Sequence, residues 1–484
     1  MKKQSLFEIG CIPTMNKEHS RIPFMFRKVG QSDLIVNELG QWGLFPNKTV
    51  GQLLDNDCLN NEKLTSLGLT QSSTSWQLES AKIQILKKYR KKSEKISYLI
   101  LVPTLRCNLS CNYCQVSRAH ENAKGFDWGE EELRLFAEFV NKNCSKNLKI
   151  EFQGGEPTLR IDLIRKIIKI VKGNTDLSEF VICTNMVNLS NELLELVESE
   201  NLTISTSIDG PKETMTINRT AEDVISEKIL CNIKDVIDRF GHSKISALPT
   251  ITEAQRKDPE TLINYYFDLG FSSIFLRPVN FQGFARKKHK DISNQINEWN
   301  AFYNKCLEII RTKNSERYFE EYYLASILRN IFLNADSGYV DFKSPSKYCQ
   351  NYCVIDFDGT IYPTDESRML TRTRTIDLAV GSLKDGLDTE FIKSLDYNGI
   401  HQTHSDCIHC TYHPFCGIDM VDDFSRHQRL DLPKRKTWFC NRQINIFDFI
   451  FMQIEAKNIP WTSTFLDWIF KSKKHSNPVE LFYD

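Results

Sequence analysis

The hydrophobic pattern of the chain changes character near residue 97. From there, short apolar runs rich in β-branched residues alternate with longer segments whose apolar positions recur every three to four residues. The short runs predict strands over 97–103, 148–153, 179–184, 202–208, 244–250 and 272–277. The segments between them predict helices over 128–143, 160–172, 190–200, 222–239 and 258–269. Six strand–helix units in this order predict a parallel sheet curved into a partial barrel with its helices outside. The chemistry of such folds gathers at the C-terminal ends of the strands.

The flanks read differently. Residues 1–50 are β-rich: Phe24-Met25-Phe26 and Leu34-Ile35-Val36 flank a turn at Gly30, and Gly40 and Gly43 punctuate the stretch up to Pro46. Residues 47–95 read as helical, with Leu53, Leu54, Ile83 and Leu86 among the apolar positions. This small module is expected to cap the barrel's bottom, or to take an extended peptide as an added strand. Residues 290–335 predict two helices carrying Trp299, Phe302, Tyr303, Tyr322 and Tyr323, an aromatic stripe that is expected to be core. The resulting division is 1–95, an N-terminal module; 96–280, the barrel; 281–345, a helical bridge; 346–442, a cysteine-rich domain; and 443–484, a helical tail.

Bulk composition narrows the function. At 484 residues the chain exceeds one ordinary core. Lys+Arg and Asp+Glu both number 62, so no overall basic bias points to nucleic acid, and the local clusters at 87–92 and 286–290 read as solvated faces. No apolar run approaches the length of a spanning helix; the nearest, 444–454, is short and carries Asp448. The start, Met1-Lys2-Lys3-Gln4-Ser5, lacks the apolar stretch of a secretory signal. There are 15 cysteines, many at ligand-like spacings, which favours metal or cluster binding in a reducing compartment, the cytoplasm, over disulfides. Cys11, Cys58, Cys144, Cys183, Cys231 and Cys306 are isolated and expected to be structural.

The densest chemistry comes directly after the first barrel strand. Cys107-Asn108-Leu109-Ser110-Cys111-Asn112-Tyr113-Cys114 places three thiols at spacings of four and three residues. Three thiolates can hold three irons of a [4Fe–4S] cube and leave the fourth open to a small molecule. A structural zinc site would need a fourth ligand at knuckle spacing, and His120, six residues on, does not supply one. The second strand ends in Gln153-Gly154-Gly155-Glu156-Pro157, where two glycines allow close backbone approach and a glutamate can accept from an ammonium. Read alone, that string is a turn. The third strand ends in Cys183-Thr184-Asn185, and the fourth in Ser205-Thr206-Ser207-Ile208-Asp209-Gly210-Pro211, with Asn218-Arg219 beyond. Arg219 suits a carboxylate, and Asp209-Gly-Pro also reads as turn punctuation. A second cysteine group comprises Cys349, Cys353, Cys407, Cys410, Cys416 and Cys440. Four soft ligands at the spacing of the last four fit zinc or an iron–sulfur cluster equally.

The first loop, C-x3-C-x2-C with an aromatic before the last cysteine, resembles the radical S-adenosylmethionine (SAM) enzymes. The resemblance implies an α/β fold: a partial (β/α)6 radical SAM barrel with a small β-rich N-terminal module and a C-terminal cysteine-rich SPASM-like domain. It implies that Cys107, Cys111 and Cys114 hold a [4Fe–4S] cluster that binds SAM. Gly154, Gly155, Glu156, Thr184, Asn185, Ser207 and Arg219 would hold SAM itself. The SPASM pattern, C-x9–15-G-x4-C, then C-x2-C-x5-C-x3-C, then a last C, is met only in part. Cys349-x9-Gly359 fits, but Thr364 and Met420 stand where cysteines are expected. Both missing ligands belong to the first auxiliary cluster. Cys407, Cys410, Cys416 and Cys440 retain the second, so one auxiliary [4Fe–4S] cluster is expected. Cys349 and Cys353 remain as a pair, expected to pack, to hold a substrate thiol or to bind a labile metal.

Asp365 follows the lost cysteine position, where related sulfatase maturases carry a proton-accepting aspartate. It is a candidate general base, with a helix cap or turn as the alternative. Longer strings, residues 111–118, 151–157 and 205–211, Asn218-Arg219, Tyr339-Val340-Asp341 and Asn37-Glu38-Leu39-Gly40, resemble the His-Xaa-Ser system radical SAM maturases, the HxsB type. That resemblance implies a peptide or small-protein substrate, a second radical SAM protein alongside, and an electron donor such as flavodoxin or ferredoxin. Two other readings stand beside it. One is the same chemistry on a small molecule or in a glycyl-radical or sulfatase-type activator. The other is a non-catalytic iron–sulfur or zinc sensor.

Overall fold

A computed structural model describes residues 19–72, 77–89, 95–288, 295–334 and 348–473. Cys11 and the Tyr339, Val340 and Asp341 string lie outside them. Five parallel strands form the barrel sheet: Ile96–Leu101, Cys144–Phe152, Leu177–Cys183, Leu202–Thr206 and Ile245–Ala247, hydrogen-bonded in that order. The expected sixth unit is divided. Thr250–Ile251 pairs with Arg277–Pro278, and Ser273–Ile274 pairs with Glu320–Glu321, so the barrel continues beyond the fifth strand as short two-stranded pieces.

Strand alternation explains the barrel's two surfaces. Successive side chains point to opposite faces. Leu99, Leu101, Ile150, Phe152, Phe180, Ile182, Leu202 and Ile204 are buried in the main core beneath the helices. The alternate positions, Tyr98, Lys149, Glu151, Gln153, Cys183, Thr203 and Ser205, line the inner cavity. The helices carry matching apolar stripes. Ile161–Asn174 buries Leu163, Ile164, Ile167, Ile168 and Val171, each contributing on the order of 1.5–3 kcal/mol. Ser190 caps the helix Asn191–Ser199 by accepting from the Leu193 N–H, and Asp258 does the same at Pro259–Asp268.

The C-terminal region does not stand apart from this sheet. Its strand Tyr352–Ile355 lies parallel to Ile96–Leu101, with Tyr352 opposite Tyr98, and antiparallel strands Thr360–Tyr362, Gly381–Ser382 and Gly386–Leu387 continue outward. Cys353, on the first of these strands, and Cys349 are both buried in the main core. Burial pushes the thiols of both upward.

The N-terminal sheet, Phe24–Val29, Ser32–Asn37 and Trp42–Pro46, is an antiparallel meander. One face, with Ile35 and Phe45, packs on its own helices through Val50, Leu53 and Leu64. The other, with Leu34 and Val36, joins the main core. Trp42 sets its ring edge-on against Phe332 and Phe451 at 5.6 and 5.0 Å. Arg27 pairs with Asp448 at 2.6 Å, and the Gln31 N–H and Ser32 hydroxyl donate to Glu455. These contacts run to the helix Trp438–Glu455 and, through Phe332, to the helix Tyr322–Leu333. The former offers a continuous apolar face, Phe447, Ile450, Phe451 and Ile454, that matches the outer face of the sheet.

Candidate functional site

The first barrel strand delivers the cysteine loop to the sheet's C-terminal edge. Thr104 and Arg106 both donate to Asp127, at 2.5 and 2.9 Å, and Arg160 pairs with the other oxygen of Asp127 at 2.9 Å. The base of the loop is therefore tied to the chain just beyond Glu156. Within the loop, the Leu109 N–H donates to the Cys107 sulfur at 3.4 Å, and the Cys114 N–H to the Cys111 carbonyl at 3.1 Å. Burial pushes the Cys107 thiol up to about 12 and raises Cys111 as well. Thiols in such surroundings ionise when a metal supplies the positive charge.

The Gly-Gly-Glu segment is bonded to the loop through its backbone. Gly155 N–H donates to the Thr104 carbonyl at 3.1 Å and Glu156 N–H to the Arg106 carbonyl at 2.7 Å. Gly154 has φ +152°, and a Cβ there would stand 2.2 Å from the Thr104 carbonyl oxygen. A Cβ on Gly155 would meet the Leu105 and Arg106 oxygens at 2.3 Å. Both glycines are needed for this approach. The Glu156 carboxylate is fully buried and accepts from the Thr158 N–H and hydroxyl, the Thr184 hydroxyl and the Asn185 N–H, at 3.1, 2.7, 2.7 and 2.7 Å. Its carboxyl is raised, chiefly by burial, against these bonds. Glu156 thus joins the second strand end to the third. Thr184 and Asn185 are engaged in the same network, and Asn185 also donates to the Asn108 side chain at 2.8 Å.

The fourth strand end carries Ser207 to the cavity wall and buries Asp209. Asp209 is more than turn punctuation: it accepts from the Thr250 N–H at 3.1 Å and the Asn218 amide at 3.3 Å. The Asn218 carbonyl in turn accepts from the Asn112 N–H of the cysteine loop at 2.8 Å. Arg219 is buried, donates to the Tyr113 hydroxyl at 2.5 Å, and leaves its Nε without a partner. An orphaned guanidinium nitrogen beside the cysteine loop is what a carboxylate ligand would satisfy.

These elements surround one cavity of about 1100 Å³. Cys107, Cys111, Cys114, Gly154, Gly155, Glu156, Thr184, Asn185, Ser207 and Arg219 all line it. The opposite wall comes from the C-terminal region and includes Asp365, Asp422, Trp438 and Arg442. Thr364, not Asp365, caps the helix Asp365–Arg372; its hydroxyl accepts from the Ser367 N–H at 3.0 Å. Asp365 sits in the first turn and accepts from Arg368 at 2.9 and 3.0 Å. Burial raises its carboxyl in spite of that guanidinium.

Two lining residues were given no role at the site from the sequence, although both stand in strings it offered, 151–157 and Cys183-Thr184-Asn185. Glu151 accepts from the Tyr98 hydroxyl at 2.5 Å, from Gln153 at 2.6 Å and from the Cys183 thiol at 3.3 Å. Cys183 therefore faces the cavity, where it was expected to be an ordinary core thiol, whereas Cys144 and Cys306 are buried and Cys231 is exposed. The signal was available: polar residues at the inward alternate positions of otherwise apolar strands.

Cys407, Cys410, Cys416 and Cys440 line a separate cavity of about 90 Å³, together with Phe26 and Arg27 of the N-terminal sheet. Cys440 lies in the first turn of the helix Trp438–Glu455, whose cap, Thr437, accepts from the Cys440 N–H at 3.3 Å. Burial pushes the Cys407 and Cys440 thiols up to about 12. Lys434 and Asp423 form a buried pair at 2.7 Å on the same wall. Among the described residues, no three His, Cys, Asp or Glu side chains converge at single-ion spacing. Four thiols around a shared void are a donor set that a zinc ion or an iron–sulfur cluster would take.

Comparison with known proteins agrees with this geometry. Residues 101–259 match the family model described as the Radical SAM superfamily. The cysteine-type anaerobic sulfatase-maturating enzyme of Clostridium perfringens (strain ATCC 13124) is 21% identical over 382 residues, spanning 74% of this chain and 97% of that protein. The enzyme of the same description from Clostridium novyi (strain NT) is 23% identical over 348 residues, 67% of this chain and 87% of its own length. Among solved structures, native anSMEcpe with bound AdoMet superposes with a TM-score of 0.60 at 18% identity, covering 75% of this chain and 99% of that chain. The same protein with bound AdoMet and Cp18Cys peptide gives 0.58 at 19% identity, over 75% and 99%. These structures share the fold of this chain.

Proposed function

We propose that this radical SAM enzyme modifies a ribosomally made peptide or small protein. The observation that carries the reading is the single cavity: its near wall is the interlocked cysteine loop, Gly-Gly-Glu segment and Arg219, and its far wall is built by the C-terminal region. At about 1100 Å³ it has room for SAM and for a side chain of a second molecule. The residues present fit the cofactors. Cys107, Cys111 and Cys114 would hold the SAM-binding [4Fe–4S] cluster, Gly154 and Gly155 would admit SAM at close range, and Arg219 would take its carboxylate. When bound, the cluster and SAM supply an electron and a 5′-deoxyadenosyl radical that abstracts hydrogen.

The chain's own residues position and protect. Glu156 holds two strand ends in register so that Thr184 and Asn185 face the cavity. Asp365, steadied by Arg368 and raised by burial, accepts a proton from the substrate at its carboxylate oxygen. Cys407, Cys410, Cys416 and Cys440 would hold one auxiliary [4Fe–4S] cluster. The curated relatives are sulfatase-maturating enzymes, and one structural neighbour carries a bound peptide. Both support a polypeptide substrate. The strings at 111–118, 151–157 and 205–211 support the His-Xaa-Ser class, with a second radical SAM protein and a flavodoxin or ferredoxin donor, in the cytoplasm. Among the described residues no helix is long and apolar enough to cross a membrane.

The deciding test is 5′-deoxyadenosine formation, read by mass spectrometry from protein reconstituted without oxygen and given SAM and a strong reductant. Wild type is expected to form it, and the Cys107/Cys111/Cys114→Ala variant is not. Equal product from both, or none from a fully loaded wild type with any peptide, would refute the reading.

A further inference from the structure

The large cavity has an unbalanced charge. Every carboxylate on its wall is engaged: Glu156 by Thr184 and Asn185, Glu151 by Tyr98 and Gln153, Asp365 by Arg368, Asp422 by Arg426, and the remainder by further contacts. The side chains of three cations on the same wall, Arg118, Lys149 and Arg277, make no hydrogen bond or ion pair with any described residue. Lys149 rests on the Tyr98 ring, 5.1 Å from its centroid. Arg118 is close in sequence to the cysteine loop.

Arg277 has neither support. It stands on the short strand paired with Thr250–Ile251, and its Nε is buried without an acceptor. Glu321, whose carboxylate accepts from the neighbouring Leu276 N–H at 3.1 Å, is also engaged by Tyr303 and Leu324. Gln282, a few residues on and also on the cavity wall, is buried with its Oε1 unpaired. A buried donor and a buried acceptor left open in one cavity call for a ligand that is anionic and also carries N–H groups.

The cofactors bring no net charge to balance these cations. A thiolate-bound cluster is anionic, and SAM, with a sulfonium and an ammonium against one carboxylate, is cationic, so the two offset each other. Arg219, held against Tyr113 at the cysteine loop, would take the SAM carboxylate in the reading above. We propose that Arg277 binds a carboxylate of the peptide substrate, from an acidic side chain or a free C-terminus, with Gln282 accepting from a peptide N–H. The inference rests on the reading that the substrate is a peptide. Arg277 presents a planar fork of donors, which matches a carboxylate in a bidentate pair.

The test is calorimetric binding, without oxygen, to reconstituted holoenzyme loaded with SAM. Three synthetic peptides are compared: Ac-Gly-Ala-Glu-Ala-Gly-amide, its Gln isostere, and the Gln peptide with a free C-terminal acid. One of the two acids is expected to bind about tenfold more tightly than the neutral amide. The arm that gains identifies the source of the carboxylate. Arg277→Gln is expected to abolish that preference and Arg277→Lys to retain part of it. Equal binding of all three peptides would overturn the proposal, as would a preference that survives Arg277→Gln. Loss of SAM binding in Arg277→Gln would also overturn it, by assigning Arg277 to the cofactor. A peptide preference without any 5′-deoxyadenosine from wild type would refute the radical reading and leave the Arg277 site standing.

Discussion

Single residues carry two consequences that can be measured directly. Glu156 receives four donors in a dry setting, and Glu156→Ala would strand the Thr184 hydroxyl and the Asn185 N–H. The expected cost is about 3 kcal/mol or more, because each stranded buried donor loses roughly 1–3 kcal/mol. Urea unfolding should show it, together with weaker SAM binding by equilibrium dialysis. Glu321 titrates where it can be followed. Burial pushes its carboxyl from 4.5 up to about 7, against the bonds from Tyr303, Leu324 and Leu276. A carboxyl raised in the folded state binds its proton more tightly there than in the unfolded chain. Its stabilising contribution is complete below pH 4.5 and is lost as pH rises to 7. Over that window wild type should lose on the order of 3 kcal/mol relative to Glu321→Gln. Parallel stability curves for the two proteins would refute the assignment. The residue types at these positions were readable in the sequence, but their partners were not. Nothing local to Glu156 says that its carboxylate turns inward to Thr184 and Asn185, 28 and 29 positions away.

At the scale of elements, alternation and close approach do the organising. The strands bury apolar residues outward and turn Tyr98, Lys149, Glu151 and Cys183 inward, so a period of two predicts which residues face the cavity. The loop after Arg277–Pro278 packs onto the cysteine loop. Ala285 N–H donates to the Cys114 carbonyl at 3.1 Å, and a Cβ on Gly283 would stand 1.8 Å from the Gln115 carbonyl oxygen. That atom is backbone and cannot rotate away. Gly283→Ala is therefore expected to displace the cysteine loop, lowering iron content and altering the electron paramagnetic resonance signal of the SAM-bound cluster. An unchanged spectrum would show that the loop yields without cost. In the C-terminal cavity, Asp423→Ala would leave Lys434 buried and unpaired. The expected loss is about 3–5 kcal/mol, read by chemical denaturation of the holoenzyme. The alternation of helices and strands was visible in the sequence from periodicity. The division of the last barrel unit into two short pairings was not, because those partners, Thr250 with Arg277 and Ser273 with Glu320, are chosen by the closing curvature of the sheet.

For the whole molecule, the three regions are mutually dependent. The N-terminal sheet supplies Phe26 and Arg27 to the wall of the C-terminal cysteine cavity, and Glu38 pairs with His413 at 2.9 Å on the same side. Removing residues 1–68 should uncover that cavity. The auxiliary cluster's visible absorbance should then bleach faster in air than in the full chain, while the SAM-binding cluster is less affected. Equal bleaching rates would show that the sheet does not shield the site. By itself the sequence determined the cysteine spacings, the glycines that permit close approach, the order of strands and helices, and the inward polar positions. Each of these depends on residues near one another in the chain, where spacing and period act directly. Only the tertiary structure decided that Tyr352–Ile355 extends the barrel sheet, that Asp365 is held by Arg368 on the far wall, that Arg277 is left unpaired, and that Arg27 reaches the last cysteine cluster. Those outcomes rest on contacts between segments up to hundreds of residues apart, selected by which apolar faces match and which buried charges find partners.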